Sequence, residues 1–343
     1  MESIRVLSIQ SHVISGKVGN RAAIFPLQLL GFDADFINSV NFSNHTKYPL
    51  IKGTVMTGNE LETVVQGLEA NYLLDYDYLL TGYIGSESFL SSILQVLDKI
   101  KINNPNVRYV CDPVLGDNGR YYVPPALVDI FRTVVVPRAY MITPNQFEAE
   151  LLSGVKIIDQ NTALQALAKM VSIGPQIVVL TSCEFPESSE LLHCYAMKRC
   201  IPSDSNETTE TTTTYYEVVS LTFPKMEGHY TGTGDCTAAL LLAWIHLTQA
   251  NIQESLLKTI SSLQAILKLT QERQHYYGIR TGSTTEDITH NLRYGELAVV
   301  YGKKFIENPP IPQDNSLNLN SWRIDDISNL LVTQTLEINE NSS

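Results

Sequence analysis

The chain has 343 residues, 36 of them acidic and 24 basic, and its formal net charge is −12. Its 44% apolar content is typical of a globular protein with a hydrophobic core, and it excludes wholesale disorder and collagen-like structure. The acidic balance, with no basic stripe or tail, argues against a nucleic-acid or membrane-surface partner. No uncharged apolar run approaches the roughly 20 residues that span a bilayer, so we expect no membrane segment.

The cysteines and the first residues bear on the cellular compartment. The five cysteines are odd in number and form no C-x-x-C pair. This pattern favours free thiols in a reducing compartment over a disulfide framework or a zinc site. The first ten residues lack the basic region and long apolar stretch of a secretory signal, so we expect a cytoplasmic protein.

Short apolar runs alternate with longer periodic segments along the chain, a pattern typical of βαβ units in a mostly parallel sheet. The first run, Ile4–Ile9, predicts a buried strand. The turn Gly16–Gly19 follows it, and apolar residues at helical spacing predict a helix after the turn. Further strands are predicted at Asp77–Thr81, Val107–Cys111, Tyr140–Thr143 and Ile177–Thr181, with their carboxyl ends at one edge of the sheet.

Two later helices have clear end signals. For the first, the sequence predicts an N-cap at Thr143, Pro144 as the first helical residue, a capping box completed by Gln146 and an end at Gly154. For the second, apolar periodicity predicts a helix over Gln160–Ile173.

Two polar stretches do not fit a compact core. Residues 203–214 (SDSNETTETTTT) are low in complexity and acidic, which predicts a disordered loop insert. Residues 309–343 are rich in Asn, Ser and Asp and form a tail whose docking the sequence leaves open. We therefore expect one domain over residues 1–308, followed by this tail.

The segment Gly232-Thr233-Gly234-Asp235 is the most informative single motif. The apolar run Cys236–Leu247 follows it directly and is typical of a helix buried on all sides. A Gly-x-Gly turn at a helix N-terminus directs unpaired N–H groups and the positive helix end at one spot, where a phosphate can approach closely. A carboxylate would repel phosphate, so Asp235 is either a general base for an attacking hydroxyl or a simple helix cap.

Two further pairs of polar residues follow predicted strands. Asp112 and Asp117 come after the strand that ends at Cys111, where open α/β sheets bind ligands. They could hold a metal near a nucleotide, and a solvated acidic turn is the alternative. Asn145 and Glu148 lie three residues apart on one helix face, a pairing that a plain cap does not explain.

Other motifs are missing or ambiguous. The chain has no G-x-x-x-x-G-K-[ST] sequence, and the spacing of Gly16-Lys17-Val18-Gly19 does not match a dinucleotide fingerprint. The H-R-D and D-F-G patterns of protein kinases are also absent. Cys236, at a helix start, is either a reactive thiol with a lowered pKa or a packed one.

Seven sequence blocks, in chain order over roughly residues 4–250, resemble the pyridoxal kinase family. They are Val6–Val13, Gly19–Ala23, Phe42–Thr46, Leu80–Tyr83, Val110–Asp117, Ile142–Leu152 and Gly232–Asp235. The ordered set is far more specific than any one motif. The resemblance implies an α/β protein with a three-layer α/β/α ribokinase-like fold and a central, mostly parallel sheet.

The resemblance also implies an activity and a set of substrate contacts. The activity is ATP-dependent phosphorylation of the 5′-hydroxymethyl group of pyridoxal, pyridoxine and pyridoxamine, in the salvage of vitamin B6 to pyridoxal 5′-phosphate. Asp235 would be the catalytic base that accepts the alcohol proton, and the Gly232–Gly234 N–H groups would stabilise charge on the transferred phosphoryl group. The implied substrate-binding residues are Ser11, Val40, Phe42, Thr46, Tyr83, Gly232 and Asp235.

Nucleotide and cation sites are implied in the same way. The residues that match nucleotide-binding positions are Asp112, Asp117, Tyr122, Thr143, Asn145, Glu148, Thr181, Ser182, Met226, Thr233 and Gly234. Of these, Asp112, Thr143 and Thr181 match the site of a monovalent cation, potassium or sodium. Asp117 and Glu148 match the region of magnesium or another divalent cation. Family members are typically homodimers, so a homodimer is expected.

Two alternatives remain open. One is a related kinase of the same fold that acts on hydroxymethylpyrimidine or a sugar, and the blocks Ser11–Val13 and Phe42–Thr46 favour pyridoxal over it. The other is a non-catalytic protein that binds a vitamer. The intact Gly232–Asp235 turn argues against that loss of catalysis.

The sequence departs from the family pattern at two places. The segment between Asp117 and Tyr122 is shorter than the family's, which bears on the lid over ATP. Tyr230 and Thr231 stand where apolar residues are more usual, which bears on the substrate pocket. The insert and the tail have no assigned counterpart.

Overall fold

The computed structural model describes residues 3–201, 214–228, 230–312 and 316–331. Its strands are β1 (Arg5–Val13), β2 (Asp33–Phe42), β3 (Gly53–Val55), β4 (Tyr78–Thr81), β5 (Arg108–Cys111), β6 (Gly116–Asp117), β7 (Arg120–Tyr121), β8 (Met141–Ile142), β9 (Ile177–Cys183), β10 (Leu191–Cys200), β11 (Tyr215–Pro224) and β12 (Asn318–Ile324). Ten of these strands form one sheet in the order β12-β11-β10-β9-β8-β5-β4-β1-β2-β3, and β6 and β7 form a separate hairpin.

Helices connect most of these strands. They are α1 (Asn20–Leu29), α2 (Gly58–Ala70), α3 (Glu87–Asn103), α4 (Leu127–Ile130), α5 (Gln146–Ser153), α6 (Gln160–Ser172), α7 (Thr233–Leu247), α8 (Ile252–Tyr277), α9 (Thr285–Tyr294), α10 (Lys303–Glu307) and α11 (Ser328–Leu331). None of the helices among the described residues is both long and apolar enough to cross a membrane.

The centre of the sheet is parallel. Strands β2, β1, β4, β5, β8 and β9 pair side by side in the same direction. Antiparallel strands flank them, β3 at one edge and β10, β11 and β12 at the other. The five predicted strands are all present in the parallel part, so the predicted α/β sheet is confirmed.

Helices cover both faces of this sheet. Because successive side chains of a strand point to opposite faces, Leu79 joins a core with α2, α3, α5 and α6, whereas Leu80 joins a core with α1, α7 and α8. Helix α7 is buried from Cys236 to Ile245, as its apolar sequence predicts. The structure therefore has the expected three-layer α/β/α arrangement.

The start of α5 corrects a sequence prediction. The N-cap is Asn145, not Thr143, and Pro144 lies outside the helix. The Asn145 side chain accepts the Glu148 N–H at 2.9 Å, and Glu148 Oε2 accepts the Asn145 N–H at 2.9 Å. This reciprocal box moves the helix start two residues along the chain. Gly154 ends the helix in a left-handed conformation, as predicted.

The described part of the C-terminal tail adds to the sheet. Strand β12 pairs antiparallel with β11 over seven residue pairs, from Thr222 opposite Asn318 to Tyr216 opposite Ile324. Ile327, just after β12, is buried. The sequence left docking open, and residues 318–324 do dock. Of the 203–214 insert, only Thr214 lies within the described residues.

Candidate active site

The carboxyl ends of the central strands bring together several residues that the sequence analysis predicts to bind the nucleotide. Asp112 follows β5 and its N–H donates to the Thr81 carbonyl at 2.9 Å. Thr143 follows β8 and donates to the Cys111 carbonyl at 3.2 Å, and Thr181 in β9 donates to the Pro144 carbonyl at 3.0 Å. These bonds join neighbouring strand ends at one edge, as predicted for a parallel sheet.

Gly232 makes the turn that opens α7. Its φ of 86° is left-handed, and a β-carbon there would overlap the carbonyl oxygen of Lys17 in the turn between β1 and α1. Only glycine meets both conditions without strain. The first N–H groups of α7 therefore start from a backbone that packs directly on the Gly16–Gly19 turn.

Asp235 is held by that same turn. The Gly19 N–H donates to Asp235 Oδ2 at 2.8 Å. The N-cap of α7 is Gly232, and no side chain caps the helix, so the alternative in which Asp235 is the cap is wrong. Burial raises the pKa of the Asp235 carboxyl. A positioned carboxyl with a raised pKa suits a general base.

Asp112 is a buried carboxylate of the site. It is 5% exposed, and Thr143 Oγ1 donates to its Oδ1 at 3.1 Å. Burial and then the charge of nearby Asp235 raise the pKa of Asp112 to about 8. A β-carbon at Gly234 would lie 3.5 Å from Asp112 Oδ2, so Asp112 borders the start of α7. An ionised Asp112 calls for a compensating cation here.

Glu148 fastens the loop after β5 to α5. Its Oε1 accepts the N–H groups of Leu115 at 3.0 Å and Gly116 at 3.4 Å. The Asn145 side chain completes the joint by donating to the Gly116 carbonyl at 2.8 Å. Burial and the charge of Asp112 raise the Glu148 pKa well above its usual range despite these N–H donors. The matched Asn/Glu pair is thus the capping box of α5, contrary to the sequence prediction that a cap does not explain it, and it also fastens the loop after β5.

The short segment between Asp117 and Tyr122 is a tight hairpin. Strands β6 and β7 are joined by Asn118 and Gly119 alone, with φ of 49° and 76°. An Asn-Gly pair with both φ values positive is the favoured two-residue hairpin turn. Asp117 lies half-buried on this hairpin, and the Tyr122 N–H donates to the Leu115 carbonyl at 2.9 Å. The short segment is therefore an ordered hairpin beside Glu148.

The oxygen donors of this site suit cations whose remaining ligands come from the phosphates of a bound nucleotide. Among the described residues, no three acidic, histidine or cysteine side chains converge closely enough to hold a metal alone. The site offers the carboxylates of Asp112 and Asp117 and the hydroxyls of Thr143 and Thr181, which are hard oxygen donors. Magnesium commonly uses one or two carboxylates and takes its other ligands from phosphates and water.

The raised pKa of Asp112 predicts a pH-dependent stability in cation-free protein. Between its ordinary value near 3.8 and about 8, the folded state binds more protons than the unfolded state. Stability should therefore fall as pH rises through this window, by on the order of 1–3 kcal/mol relative to Asp112→Asn. Chemical denaturation at pH 5.5 and 8, with and without potassium and magnesium, measures this. Parallel pH curves for the two proteins would contradict it.

The residues that the sequence analysis predicts to bind the substrate lie on β1, β2 and the loops after β2 and β4. Ser11 pairs with Val40, and the register shifts between Gln10 and Ser11, where Ser39 is an extra residue in β2. Val40 is buried, and Phe42 at the end of β2 is half-buried. A β-carbon at Gly19 would overlap the Ser11 carbonyl, so Ser11 and Asp235 both contact Gly19.

The remaining predicted residues lie around these two groups. Tyr83 is half-buried after β4, where burial raises its pKa, and Thr46 is exposed in the loop after β2. Ser182 is half-buried in β9, and Met226 packs beside α7 and α8. Cys236 is fully buried, and burial raises its pKa to about 12, so it is a packed thiol.

Sequence reasoning missed the contact between Gly19 and Asp235. The signal was the second glycine of Gly16-Lys17-Val18-Gly19, which matched no nucleotide fingerprint. In the structure this turn donates a hydrogen bond to Asp235 and packs against Gly232 at the edge of the sheet.

The chain is similar to known proteins in sequence and in structure. Residues 56–279 match the family model described as phosphomethylpyrimidine kinase. The chain is 42% identical to the pyridoxal kinase of Arabidopsis thaliana over 90% of this chain and 92% of that protein. It is equally identical to the Homo sapiens pyridoxal kinase, over 90% and 97%. The structure of Leishmania donovani pyridoxal kinase in complex with ADP and pyridoxine aligns with a TM-score of 0.78 at 34% identity, covering 93% of this chain and 99% of that one.

Proposed function

The chain belongs to the pyridoxal kinase family and is an ATP-dependent kinase of vitamin B6, and we propose that Asp235 is the base of its phosphoryl transfer. The observation that carries this proposal is the placement of Asp235. Its carboxylate lies in the first turn of α7, fixed by the Gly19 N–H, beside the N–H groups of a Gly-x-Gly turn. A base and an anion-binding turn thus lie side by side.

The reaction follows from that juxtaposition. Asp235 accepts the proton of the 5′-hydroxyl group as that oxygen attacks the γ-phosphorus of ATP, and the bond to the ADP oxygen breaks. The N–H groups of Gly232, Thr233 and Gly234 face the transferred group at the positive end of α7 and stabilise its charge. These donors are backbone groups, already ordered, so little reorganisation accompanies the transfer.

The cations are assigned to the acidic residues at the carboxyl ends of the central strands. Asp112, Thr143 and Thr181 would hold a monovalent cation, and Asp117, with Glu148 beside it, would hold magnesium. When bound, these ions neutralise the negative charge of the nucleotide phosphates. Buried Asp112 supports this assignment, because its ionised form has no cationic partner among the described residues.

The nucleotide and the vitamer are assigned to opposite sides of the Gly232–Gly234 turn. The nucleotide extends over Asn145, Ser182 and Tyr122 toward Met226. The vitamer ring lies against Val40, Phe42 and Tyr83, with Ser11 and Thr46 as its polar contacts. Half-burial of most of these side chains supports a site that is open to ligands. We also propose a cytoplasmic homodimer, from the family resemblance and the five buried, unpaired cysteines.

A related substrate class has a specific observation in its favour. The matching family model carries the description phosphomethylpyrimidine kinase. A panel of pyridoxal, pyridoxine, pyridoxamine, hydroxymethylpyrimidine and ribose, assayed with ATP and magnesium, separates the candidates. We expect kcat/KM for the three vitamers to exceed the others by at least about 100-fold, a difference of some 2.7 kcal/mol. Faster turnover of hydroxymethylpyrimidine would reassign the substrate, and vitamer binding without ADP release would make the chain a binding protein.

A further inference from the structure

Glu296 is fixed rigidly by the helices behind it. The Ala298 N–H donates to Thr270 Oγ1 at 2.9 Å in the interior, and Arg273 donates to the Glu296 carbonyl at 3.3 Å. Leu297, the next residue, is 1% exposed. The backbone at Glu296 is therefore anchored to α8, and its side chain starts from a fixed point.

The Glu296 carboxylate joins two separate loops. Its Oε2 accepts the Lys17 N–H at 2.7 Å, in the turn between β1 and α1. Its Oε1 lies 3.1 Å from His45 Nε2 and accepts the Tyr48 hydroxyl at 3.3 Å, both in the loop after β2. The carboxylate side chain is only 11% exposed. A carboxylate that is shielded from water and has donors on both oxygens holds the two loops in a fixed relation, and we call this contact the joint.

The hydrogen-bond donors around residue 296 require a side chain with two acceptor oxygens. The Lys47 N–H donates to His45 Nδ1 at 3.3 Å, so Nδ1 is the acceptor nitrogen and Nε2 carries the hydrogen that faces Glu296. Glutamine has one acceptor oxygen and one amide donor. It can satisfy either the Lys17 side or the His45 and Tyr48 side, while its amide opposes the other.

The first of these loops leads directly to the catalytic turn. The Lys17 N–H is held by Glu296, and its carbonyl packs on Gly232, where no side chain fits. Two residues later, the Gly19 N–H donates to Asp235. Gly16 lies so close that a β-carbon would come within 2.9 Å of Glu296 Oε1. A continuous set of contacts thus connects Glu296 to the base.

The second loop carries a proposed vitamer contact. His45 immediately precedes Thr46, and His45 itself is 5% exposed. A cavity of about 190 Å³ opens beside this joint, lined by His45, Glu296, Thr231 and Asn291 among others. Thr231 also immediately precedes Gly232, so the cavity borders the loop after β2 and the turn that opens α7.

We propose that Glu296 is a positioning residue that aligns the vitamer-binding loop and the Asp235 turn with each other. The proposal rests on the proposed function, since it concerns the vitamer side of that site. Loss of the carboxylate releases both loops on this side and leaves the nucleotide side, at β5, β8 and β9, in place. The signature is therefore a vitamer defect without a nucleotide defect.

The test compares Glu296→Ala and Glu296→Gln with the wild-type chain. For both variants we expect KM for pyridoxal and the Kd for pyridoxine, from calorimetry without ATP, to rise roughly 10- to 100-fold, with kcat reduced. KM for ATP should stay within about twofold. Glu217→Gln is the matched control, because Glu217 forms an ion pair with Lys198 at 3.0 Å on β10 and β11, away from both loops. We expect it to behave as wild type.

Added formate supplies a second readout that a merely structural role would not move. The adjacent cavity can admit a small carboxylate, so formate should lower the raised KM of Glu296→Ala and leave that of Glu296→Gln unchanged. If Glu296→Ala does not fold, the near-isosteric Glu296→Gln still gives the KM comparison. Unchanged vitamer constants, or vitamer and ATP constants that rise together, would overturn the proposal. A wild-type chain without vitamer kinase activity would instead overturn the proposed function.

Discussion

Replacement of Asp235 by asparagine should lower kcat by about 10²- to 10⁴-fold, the usual contribution of a positioned general base. Asparagine can still accept the Gly19 N–H that Asp235 accepts at 2.8 Å, so the turn keeps its geometry while the base is lost. KM for ATP and for the vitamers should change little. Steady-state kinetics with pyridoxal measure this directly.

The pH dependence of wild-type kcat depends on the same carboxyl group. Burial raises the pKa of Asp235, and a base acts only when ionised, so wild-type kcat should fall on the acidic side as pH drops through that raised pKa. Asp159→Asn is the matched control, since Asp159 caps α6 at the surface and asparagine caps equally well. A near-normal kcat for Asp235→Asn would exclude Asp235 as the base. So would a wild-type kcat that falls only at the ordinary pKa of an aspartate.

Gly232→Ala should be the most damaging change to the anion-binding turn. The added methyl group would overlap the Lys17 carbonyl, and φ of 86° disfavours any side chain. The α7 N-terminus must then move away from the Gly16–Gly19 turn, and a shift near 1 Å at such a site costs about 100-fold in kcat. We expect loss of kcat together with lower thermal stability, measured by kinetics and by calorimetry.

Gly31→Ala separates the two causes of that effect. Gly31 has a similar φ of 92°, but a β-carbon there meets nothing within 4 Å. Alanine at this position bears only the conformational cost, roughly 1 kcal/mol, and kcat should stay at the wild-type value. Equal kcat values for the two variants would mean that the Gly232 turn has no catalytic role.

Local patterns were enough to predict the central sheet. The five apolar runs and the buried helix after Gly232 are dictated by hydrophobic periodicity, and all of them are present. The convergence of Asp112, Thr143 and Thr181 follows from parallel strand direction alone. These features depend on neighbouring residues in the sequence, so the sequence predicts them well.

Features that depend on distant residues could not be predicted. The N-cap of α5 moved to Asn145 because Glu148 both caps the helix and holds the loop after β5, which leaves Thr143 to bond Asp112. The register slip at Gln10 depends on how β2 packs beside β1. Strand β12 has too weak a pattern to predict, and its place depends on the free edge of β11.

The net charge of −12 agrees with phosphate chemistry at this site. The proposed phosphate contacts are backbone N–H groups at the N-terminus of α7, which need no lysine or arginine. The acidic residues that border this helix start, above all Asp112, are suited to cations that in turn hold phosphate. An acidic surface therefore does not argue against an ATP-dependent kinase.

The reaction product shows directly whether this chain phosphorylates the 5′-hydroxymethyl group of pyridoxal. The purified full chain is incubated with ATP, magnesium, potassium and pyridoxal, and the product is analysed by phosphorus NMR and mass spectrometry. We predict one ADP for each pyridoxal consumed and a single phosphate ester on the 5′ carbon. ADP release without a phosphorylated vitamer, or an ester at another hydroxyl group, would contradict the account.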